Sequence, residues 1–332
     1  MDTSTTYMGL KLKNPVIISS SRLTGNLETI RQCIGYGAGA IVLKSIFEEQ
    51  MHLRVEAKIK QSKENEMYYW YAEAREKILN LSKEAILDHY LQFVKAAKSI
   101  DASVPILSSI HCKSADSWTQ YARQIEQAGA DALELNISIF PFNKNMDSLE
   151  IEDLYVEILK KVKKEVDIPV SIKLGPFFTN ICTITSRLVQ AGADGLVLFN
   201  RYFRPDIDID TLKVVSREHF SSPEEMSLSL RWIALLSGHK IPCDLVASTG
   251  IHYDTALIKQ LLVGARAAEI CSTLFLNGIP YIAKIIEGLE NWMKKHNFEK
   301  LDDFRGKSLD EQTTDARFER IQYMKRDFEE IF

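Results

Sequence analysis

Two lysines stand where lysine is uncommon, at or beside the end of short apolar runs. Lys44 closes one such run, and Lys173 lies one residue before the end of another. A lysine is rarely buried unless it is paired or functional. Two ammonium groups that reach one site suit an anionic ligand, or a ring that accumulates negative charge. The alternative is that each lysine pairs with a carboxylate such as Glu48 or Glu134.

Eight short apolar runs alternate with longer amphipathic segments along the chain, a pattern of repeated βα units. The runs predict strands at Pro15–Ser19, Ala40–Lys44, Val104–Ile110, Ala132–Asn136, Val170–Leu174, Gly195–Phe199, Asp244–Ser248 and Ala267–Cys271. The segments predict helices at Leu27–Tyr36, Ala115–Ala128, Ile151–Val166, Ile181–Ala191, Glu224–Leu236, Tyr253–Leu262 and Tyr281–His296. Four helices run out in glycine-containing turns, where glycine supplies a left-handed cap. We therefore expect an α/β protein with the (β/α)₈ fold of the TIM barrel, closed rather than open, as a single domain over 1–332.

One region interrupts this rhythm. The segment Phe47–Ser82 is too long for an ordinary loop and carries the aromatic cluster Tyr68-Tyr69-Trp70-Tyr71. It follows the second predicted strand, on the face where barrel enzymes place their sites. It is an insertion that forms either a lid or a surface helix packed on the rim.

In this fold, functional side chains project from the C-terminal ends of the strands. Those ends are polar here: Ser19, Ser20, Ser21, Lys44, Ser45, Ser108, Ser109, His111, Asn136, Ser138, Lys173, Asn200, Arg201, Ser248, Thr249, Gly250, Cys271, Ser272 and Thr273. A phosphate is usually bound after strands seven and eight, so we expect one at Ser248–Gly250 and at Cys271 and Ser272. Ordinary turns are the alternative.

The two lysines suit a flavin ring. A flavin gains negative charge at N1 and O2 on reduction, which a nearby lysine stabilises.

Composition excludes several classes of protein. The chain has 332 residues, 45% apolar and 26% charged, with a net charge of −4 and a pI near 6.0, so nucleic acid is not expected as a partner. No stretch is long and apolar enough for a bilayer, and no basic-then-apolar leader begins the sequence. The five cysteines are far apart, so neither a disulfide framework nor a metal or iron–sulfur site is expected. We expect a cytoplasmic protein whose redox chemistry, if any, uses an organic cofactor.

The order and spacing of several segments resemble the soluble class 1 dihydroorotate dehydrogenases, which are FMN-dependent barrels of pyrimidine biosynthesis. The segments that carry the resemblance are Gly9–Ser21, Gly37–Ser45, Ala128–Ser138, Ile172–Leu174, Ser248–Ile251 and Leu289–Lys307. The resemblance covers nearly the whole chain. It implies FMN as the cofactor, a small-molecule substrate and a homodimer.

The resemblance also implies roles for individual residues. Ser19, Ser20, Ser21 and Ser45 would line the flavin, Lys44 would contact its ring and the substrate, and Lys173 would face its pyrimidine edge. Asn136, Asn143 and Asn200 would bind ring or substrate groups. The phosphate would be held by Ser248, Thr249, Gly250, Cys271 and Ser272, with a weaker contact near Ser227.

Three departures affect the substrate half of this comparison. The family carries a cysteine base after the fourth strand, whereas this chain has Ile139 or Phe140 there, and neither accepts a proton. The substrate loop after strand two is not recognisable in Phe47–Ser82, and Arg201 stands where serine is usual. Ser138 is a possible substitute base, as are water and, in the insertion, Tyr68 and Tyr71.

The leading hypothesis is an FMN-dependent dehydrogenase that oxidises dihydroorotate, or a related small cyclic anion, by hydride transfer. One alternative is a flavin ene-reductase or dihydropyrimidine dehydrogenase-type enzyme with another substrate. A second is a flavin-free barrel of the aldolase kind, in which Lys44 or Lys173 forms a Schiff base. A third is a barrel that binds flavin without turnover. The sequence does not indicate the electron acceptor.

Overall fold

The computed structural model describes residues 1–48, 72–112, 115–139, 142–202, 204–215, 219–309 and Phe318, with the backbone alone at 72–83 and 115–116. Eight parallel strands form its centre: β1 (Val16–Ile18), β2 (Ala40–Val42), β3 (Ile106–His111), β4 (Ala132–Leu135), β5 (Val170–Leu174), β6 (Gly195–Leu198), β7 (Asp244–Ser248) and β8 (Ala267–Ile270). Neighbours in sequence pair in parallel, and β8 pairs with β1, so the sheet closes on itself. All eight predicted strands and the TIM barrel are confirmed.

Helices surround this sheet on the outside. They are α1 (Leu27–Gly35), α2 (Ala72–Lys98), α3 (Ala115–Gln127), α4 (Ser148–Lys163), α5 (Ile181–Gln190), α6 (Met226–Gly238), α7 (Asp254–Leu262), α8 (Ser272–Asn277) and α9 (Tyr281–Lys295). The seven predicted helices are confirmed, whereas α8 was not predicted. Helix α2 begins inside Phe47–Ser82, the segment predicted as a lid or a surface helix, and continues beyond its end. Residues 49–71, with the aromatic cluster, lie outside the described residues.

Two helix starts differ from the predictions because of local hydrogen bonds. Helix α4 begins at Ser148, three residues early, since the Asp147 side chain accepts from the backbone N–H of Glu150 in a capping box. Helix α6 begins at Met226, because the preceding residues Pro223–Glu225 form a 3₁₀ turn. Among the described helices, none is both long and apolar enough to cross a membrane.

A hairpin before the first barrel strand closes the N-terminal end of the barrel. Its strands, Thr5–Tyr7 and Leu10–Leu12, are joined by Met8 and Gly9, whose positive φ angles of 52° and 79° suit a tight hairpin turn. Tyr7, Met8 and Leu12 are buried against the inner faces of the strands. A Cβ at Gly195 would lie 2.7 Å from the Tyr7 hydroxyl, so the absence of a side chain there leaves room for Tyr7 of the hairpin.

The inside of the barrel changes character from one end to the other. Near the N-terminal hairpin, the interior is filled by apolar side chains, namely Ile17, Val42, Leu107, Val197 and Val246. Toward the C-terminal ends of the strands, the buried inward side chains are polar or charged: Ser19, Ser109, Glu134, Ser171, Lys173, Ser248 and Glu269. Buried polar groups need partners. The fold therefore places a polar layer directly beneath the face where barrel enzymes bind their ligands.

Candidate active site

Lys173 is the centre of this polar layer. Its ammonium donates to Glu269 Oε2 at 2.5 Å and to the Ser19 hydroxyl at 3.0 Å, and it lies 3.9 Å from Glu134 Oε1. Ser19 in turn donates to Glu269 at 2.7 Å. The lysine thus pairs with carboxylates, as the alternative interpretation of the sequence held. Its main partner is Glu269, which that interpretation did not name.

Glu134 and Glu269 differ in protonation: one favours the protonated form and the other the charged form. Burial and the negative charge of Glu269 raise the pKa of Glu134 well above its usual range. Lys173 and the hydrogen bonds to Glu269 outweigh burial there and lower the pKa of Glu269. The two carboxylates together raise the pKa of Lys173. These shifts favour an ion pair between Lys173 and Glu269, with Glu134 in its protonated form beside it.

This charge distribution argues against a Schiff base at Lys173, because a nucleophilic amine must first lose its proton. The paired carboxylates hold the proton on. The aldolase alternative therefore has no support at this lysine.

A row of hydroxyls connects the neutral acid to the first two strands. The Ser20 and Ser45 hydroxyls lie 2.9 Å apart, and those of Ser45 and Ser109 lie 2.7 Å apart. Ser109 donates to Glu134 at 3.4 Å. The predicted residues Ser20 and Ser45 are thus held in a network that spans four adjacent strand ends.

Lys44 differs from Lys173 in having no carboxylate partner among the described residues. Its aliphatic stem packs against Gly25, where a Cβ would lie 3.0 Å from the lysine Cδ. Glu48, the partner that the alternative interpretation suggested, accepts a hydrogen bond from Ser117 at 2.9 Å. Lys44 is half-buried and can pair with an anionic ligand.

A cavity of about 220 Å³ lies above the Lys173 layer. Nine of the predicted cofactor residues line it: Ser19, Ser20, Lys173, Asn200, Ser248, Thr249, Gly250, Cys271 and Ser272. Ser21 is not among the residues that line it, although it follows Ser20 directly in the chain. Ser227 does not reach this cavity. It lines a neighbouring one, of about 260 Å³, with Pro176 and Leu228.

The turn after β7 forms a cradle at one end of this cavity. Thr249 and Gly250 have positive φ angles of 74° and 80°, and a Cβ at Gly250 would lie 2.2 Å from the backbone nitrogen of Met226. The turn thus rests against the start of α6, and only glycine permits this approach. Consecutive N–H groups at such a turn, next to a helix N-terminus, favour an anion.

Residues that sequence reasoning missed complete the cradle. The Ser221 hydroxyl accepts from the Gly250 N–H at 3.3 Å and pairs with His252 Nε2 at 3.0 Å. The Ser221 N–H donates to the Ser272 hydroxyl at 3.0 Å. Ser221 and His252 follow no apolar run closely enough to stand out. Glu269 did carry a signal, since it is a lone charge inside a predicted strand, as Lys173 is.

Asn136 and Asn200 form a pair, and Asn200 lines the cavity. Asn200 Nδ2 donates to Asn136 Oδ1 at 2.8 Å. Among the described residues, the Asn136 amide N–H groups and the Asn200 carbonyl oxygen have no partner, so they can bind a ligand. The two side chains thus offer one donor and one acceptor side by side, which matches the edge of an amide.

The loop after β4, where the base was expected, is fixed by aromatic side chains. Tyr155 donates to the Ile137 carbonyl at 3.1 Å, and Ile139 N–H donates to the Tyr155 hydroxyl at 3.4 Å. The Ile139 side chain packs against the outer core. Phe140 lies outside the described residues. Ile139, the described residue at the base position, has no group that accepts a proton.

The predicted substrate residue Asn143 lies on the far side of this loop. It is exposed and lines a separate cavity of about 260 Å³ with Ile139 and Tyr202. That cavity is lined by the loop after β5 and the start of α4 rather than by Asn136 and Asn200. The structure therefore does not bring Asn143 together with the other predicted substrate residues.

The residues present fit FMN on two counts. The turn at Thr249 and Gly250 has the backbone geometry and the hydroxyl neighbours that a phosphate requires. Lys173, buried at the floor of the same cavity, provides the positive charge that suits the pyrimidine edge of a flavin.

Comparison with known proteins agrees with this geometry. The family model described as "Dihydroorotate dehydrogenase" matches residues 3–293. A protein of Thermoplasma volcanium named "Dihydroorotate dehydrogenase B (NAD(+)), catalytic subunit" is 27% identical over 314 residues, 93% of this chain and 99% of its own. One of Pyrococcus abyssi with the same name is 28% identical over 313 residues, 91% and 97%. "Dihydropyrimidine dehydrogenase (NADP(+)), chloroplastic" of Arabidopsis thaliana is 24% identical over 341 residues, 94% and 78%.

The match extends over most of the chain. The chain therefore belongs to the dihydroorotate dehydrogenase family, a family of flavin-dependent oxidoreductases that act on CH–CH groups.

Proposed function

We propose that this protein is an FMN-dependent dehydrogenase that oxidises dihydroorotate, or a related small cyclic anionic amide, in pyrimidine biosynthesis. The observation that carries the proposal is the Asn136–Asn200 amide pair, in which Asn200 lines the same cavity as Lys173, together with Lys44, which has no carboxylate partner among the described residues. Bound FMN would supply the hydride acceptor.

The substrate class follows from what these groups can bind. The amide pair presents a donor and an acceptor together, which complements the C=O and N–H of a cyclic amide. Lys44, without a carboxylate partner among the described residues, complements a carboxylate on the same ring. A dihydropyrimidine ring that carries a carboxylate satisfies all three groups.

Lys173 would act on the cofactor side of the cavity. Its ammonium stays charged because of the ion pair with Glu269, so it would stabilise negative charge at the pyrimidine edge. Glu269 offsets part of that charge, and the protonated Glu134 adds none. The neutral state of Glu134 thus preserves the positive potential that a reduced ring needs.

The cofactor and the substrate are tested in sequence. Purified protein is denatured, and the released flavin is identified by chromatography against FMN and FAD standards. The holoprotein is then mixed anaerobically with L-dihydroorotate, and the loss of flavin absorbance is followed by stopped flow. We expect FMN and complete bleaching. A colourless protein that FMN does not reconstitute would overturn the proposal, and an oxidised spectrum at saturating dihydroorotate would exclude this substrate.

A neutral dihydropyrimidine is the second candidate, because the amide pair alone fits it and because one relative is named a dihydropyrimidine dehydrogenase. Lys44→Met separates the two. If the substrate is anionic, loss of this charged hydrogen bond should weaken dihydroorotate binding by about 10-fold to 100-fold, which corresponds to about 1.5–3 kcal/mol. Dihydrouracil binding should change little. Equal effects on the two compounds would contradict the role given to Lys44.

We further propose that the protein is a cytoplasmic homodimer, as the family resemblance suggests. Light scattering on the purified holoprotein tests the assembly, with twice the chain mass of 37.8 kDa expected. Monomer at micromolar concentration would contradict it.

A further inference from the structure

Among the described residues, the loop after β4 does not supply the proton acceptor that oxidation of a CH–CH bond requires. The Ile139 side chain packs against the outer core, and the other candidate in this loop is the serine Ser138. A serine without an activating base is a weak proton acceptor at neutral pH. The acceptor must therefore come from another element.

A candidate acceptor is His111, which ends β3 and lies beside Asn136. Side chains alternate along a strand, so His111 shares the inward face with Ser109, whose hydroxyl contacts Ser45 and Glu134 inside the barrel. Strand β3 stands between β2, which leads to Lys44, and β4, which leads to Asn136. A ligand that touches both of those residues must pass over the end of β3.

The hydrogen bond of His111 fixes which ring nitrogen is free. Nδ1 lies 2.7 Å from the backbone carbonyl oxygen of Asn136. A carbonyl oxygen only accepts, so Nδ1 carries the hydrogen, and in the neutral ring Nε2 carries a lone pair. Phe47 and Trp118 lie 5.3 Å and 6.2 Å from the ring between centroids and limit its rotation. Among the described residues, Nε2 has no hydrogen-bond partner.

We propose that His111 is the general base of this enzyme. The proposal rests on the proposed function, in which bound FMN is the oxidant. One substrate C–H bond breaks, its proton goes to Nε2 of His111, and its electron pair enters the new C=C bond. The neighbouring carbon gives up hydride, with the electron pair of its own C–H bond, to the flavin. The substrate thus loses two electrons and two hydrogens.

His111→Asn tests proton transfer apart from positioning. The asparagine amide can still donate to the Asn136 carbonyl, but it cannot take a proton. We expect the rate of flavin bleaching by dihydroorotate to fall by about 100-fold to 10,000-fold, the usual contribution of a general base. Binding of orotate, measured by calorimetry, should change less than about threefold. His89→Asn, on the exposed face of α2, is the matched control and should leave both values unchanged.

Two further measurements do not depend on that variant. In His111→Ala, added imidazole should restore part of the bleaching rate at pH 8, because the cavity left by the ring admits a diffusible base. In ¹⁵N-histidine-labelled protein without substrate, the His111 resonances should show a protonated Nδ1 and an unprotonated Nε2. Loss of one set of signals in His111→Asn assigns them.

The outcomes separate this proposal from the proposed function. If dihydroorotate fails to bleach the wild-type holoprotein, the proposed substrate is wrong, and the tautomer measurement still tests the position of the free nitrogen. If the wild type is bleached and His111→Asn keeps its rate within about threefold, His111 is not the base. An Nε2–H tautomer, or a loss in His111→Ala that imidazole does not relieve, also overturns it. Ser138→Ala and Tyr202→Phe should each retain most of the rate, and a large loss in either would assign the base to that pair instead.

Discussion

Glu269→Gln should destabilise the protein less than the loss of its closest ion pair suggests. Lys173 loses a carboxylate at 2.5 Å but keeps Glu134 at 3.9 Å, which can then release its proton. With an effective dielectric of 20, the two attractions are about 7 and about 4 kcal/mol, so the exchange of partners costs about 2–3 kcal/mol. Glutamine also keeps an oxygen for the hydrogen bonds from Lys173 and Ser19. By contrast, a buried charge left without any partner costs about 3–5 kcal/mol.

The partner variant should behave differently. Because burial and Glu269 raise the pKa of Glu134 well above its usual range and favour its protonated form, Glu134→Gln replaces one uncharged group by another and should cost less than about 1 kcal/mol. The double variant leaves Lys173 without a counter-ion, so its cost should exceed the sum of the two single costs by more than about 1 kcal/mol. Such an excess would show that Glu134 becomes the counter-ion of Lys173 when Glu269 is replaced.

Urea unfolding followed by far-UV circular dichroism measures all three variants, in protein with and without FMN so that cofactor binding does not contribute to the difference. Equal costs for Glu134→Gln and Glu269→Gln would refute the division into one neutral and one charged carboxylate. Additive costs in the double variant would refute the takeover by Glu134.

Three further predictions follow from the same geometry. The proton that Glu134 keeps stabilises the fold fully below the unfolded pKa of 4.5, and this contribution is lost as pH rises through its raised pKa, by about 1.4 kcal/mol per unit. Urea titrations of the wild type and Glu134→Gln from pH 5 to 8 should therefore converge or cross, and parallel curves would contradict this. Gly250→Ala should lower FMN affinity by at least about tenfold, measured by fluorescence titration, because its Cβ would meet a backbone nitrogen at 2.2 Å. Gly129→Ala has a similar φ of 91° and no atom within 4 Å of its Cβ, so it controls for backbone strain and should keep its affinity. Tyr155→Phe removes the hydrogen bond to the Ile137 carbonyl and should lower stability by about 1 kcal/mol, with an unchanged melting temperature as the contrary result.

Many residues that line the cavity above Lys173 could be predicted from the sequence, because their positions depend on patterns between residues close together in the chain. Each barrel strand is a short apolar run, and each run ends in the residue that the fold places on one face. From that rule alone, Lys173, Asn200 and Ser248 are predicted to lie together, and in the structure they line one cavity. Ser227 lines a neighbouring cavity instead, which it shares with Asn200 and Ser248, because a 3₁₀ turn precedes α6.

The partners of those residues could not be predicted, because they join strands that are far apart in the chain. Glu269 and Lys173 are 96 residues apart, and their ion pair exists only because the sheet closes. The same holds for Ser221 with His252 and for Asn136 with Asn200. A sequence shows that a charge lies in a strand, but the strand register decides which opposite charge it meets.

The sequence by itself determined the barrel, the polar ends of its strands and the absence of the family's base at Ile139. Only the tertiary structure decided the state of the groups placed there. Closure of the barrel pairs Lys173 and leaves Lys44 without a carboxylate among the described residues. It also sets the His111 ring against the Asn136 carbonyl, which decides the nitrogen that carries the lone pair. The physical reason is that charge and tautomer depend on neighbours within a few ångströms, which the packing of distant segments selects.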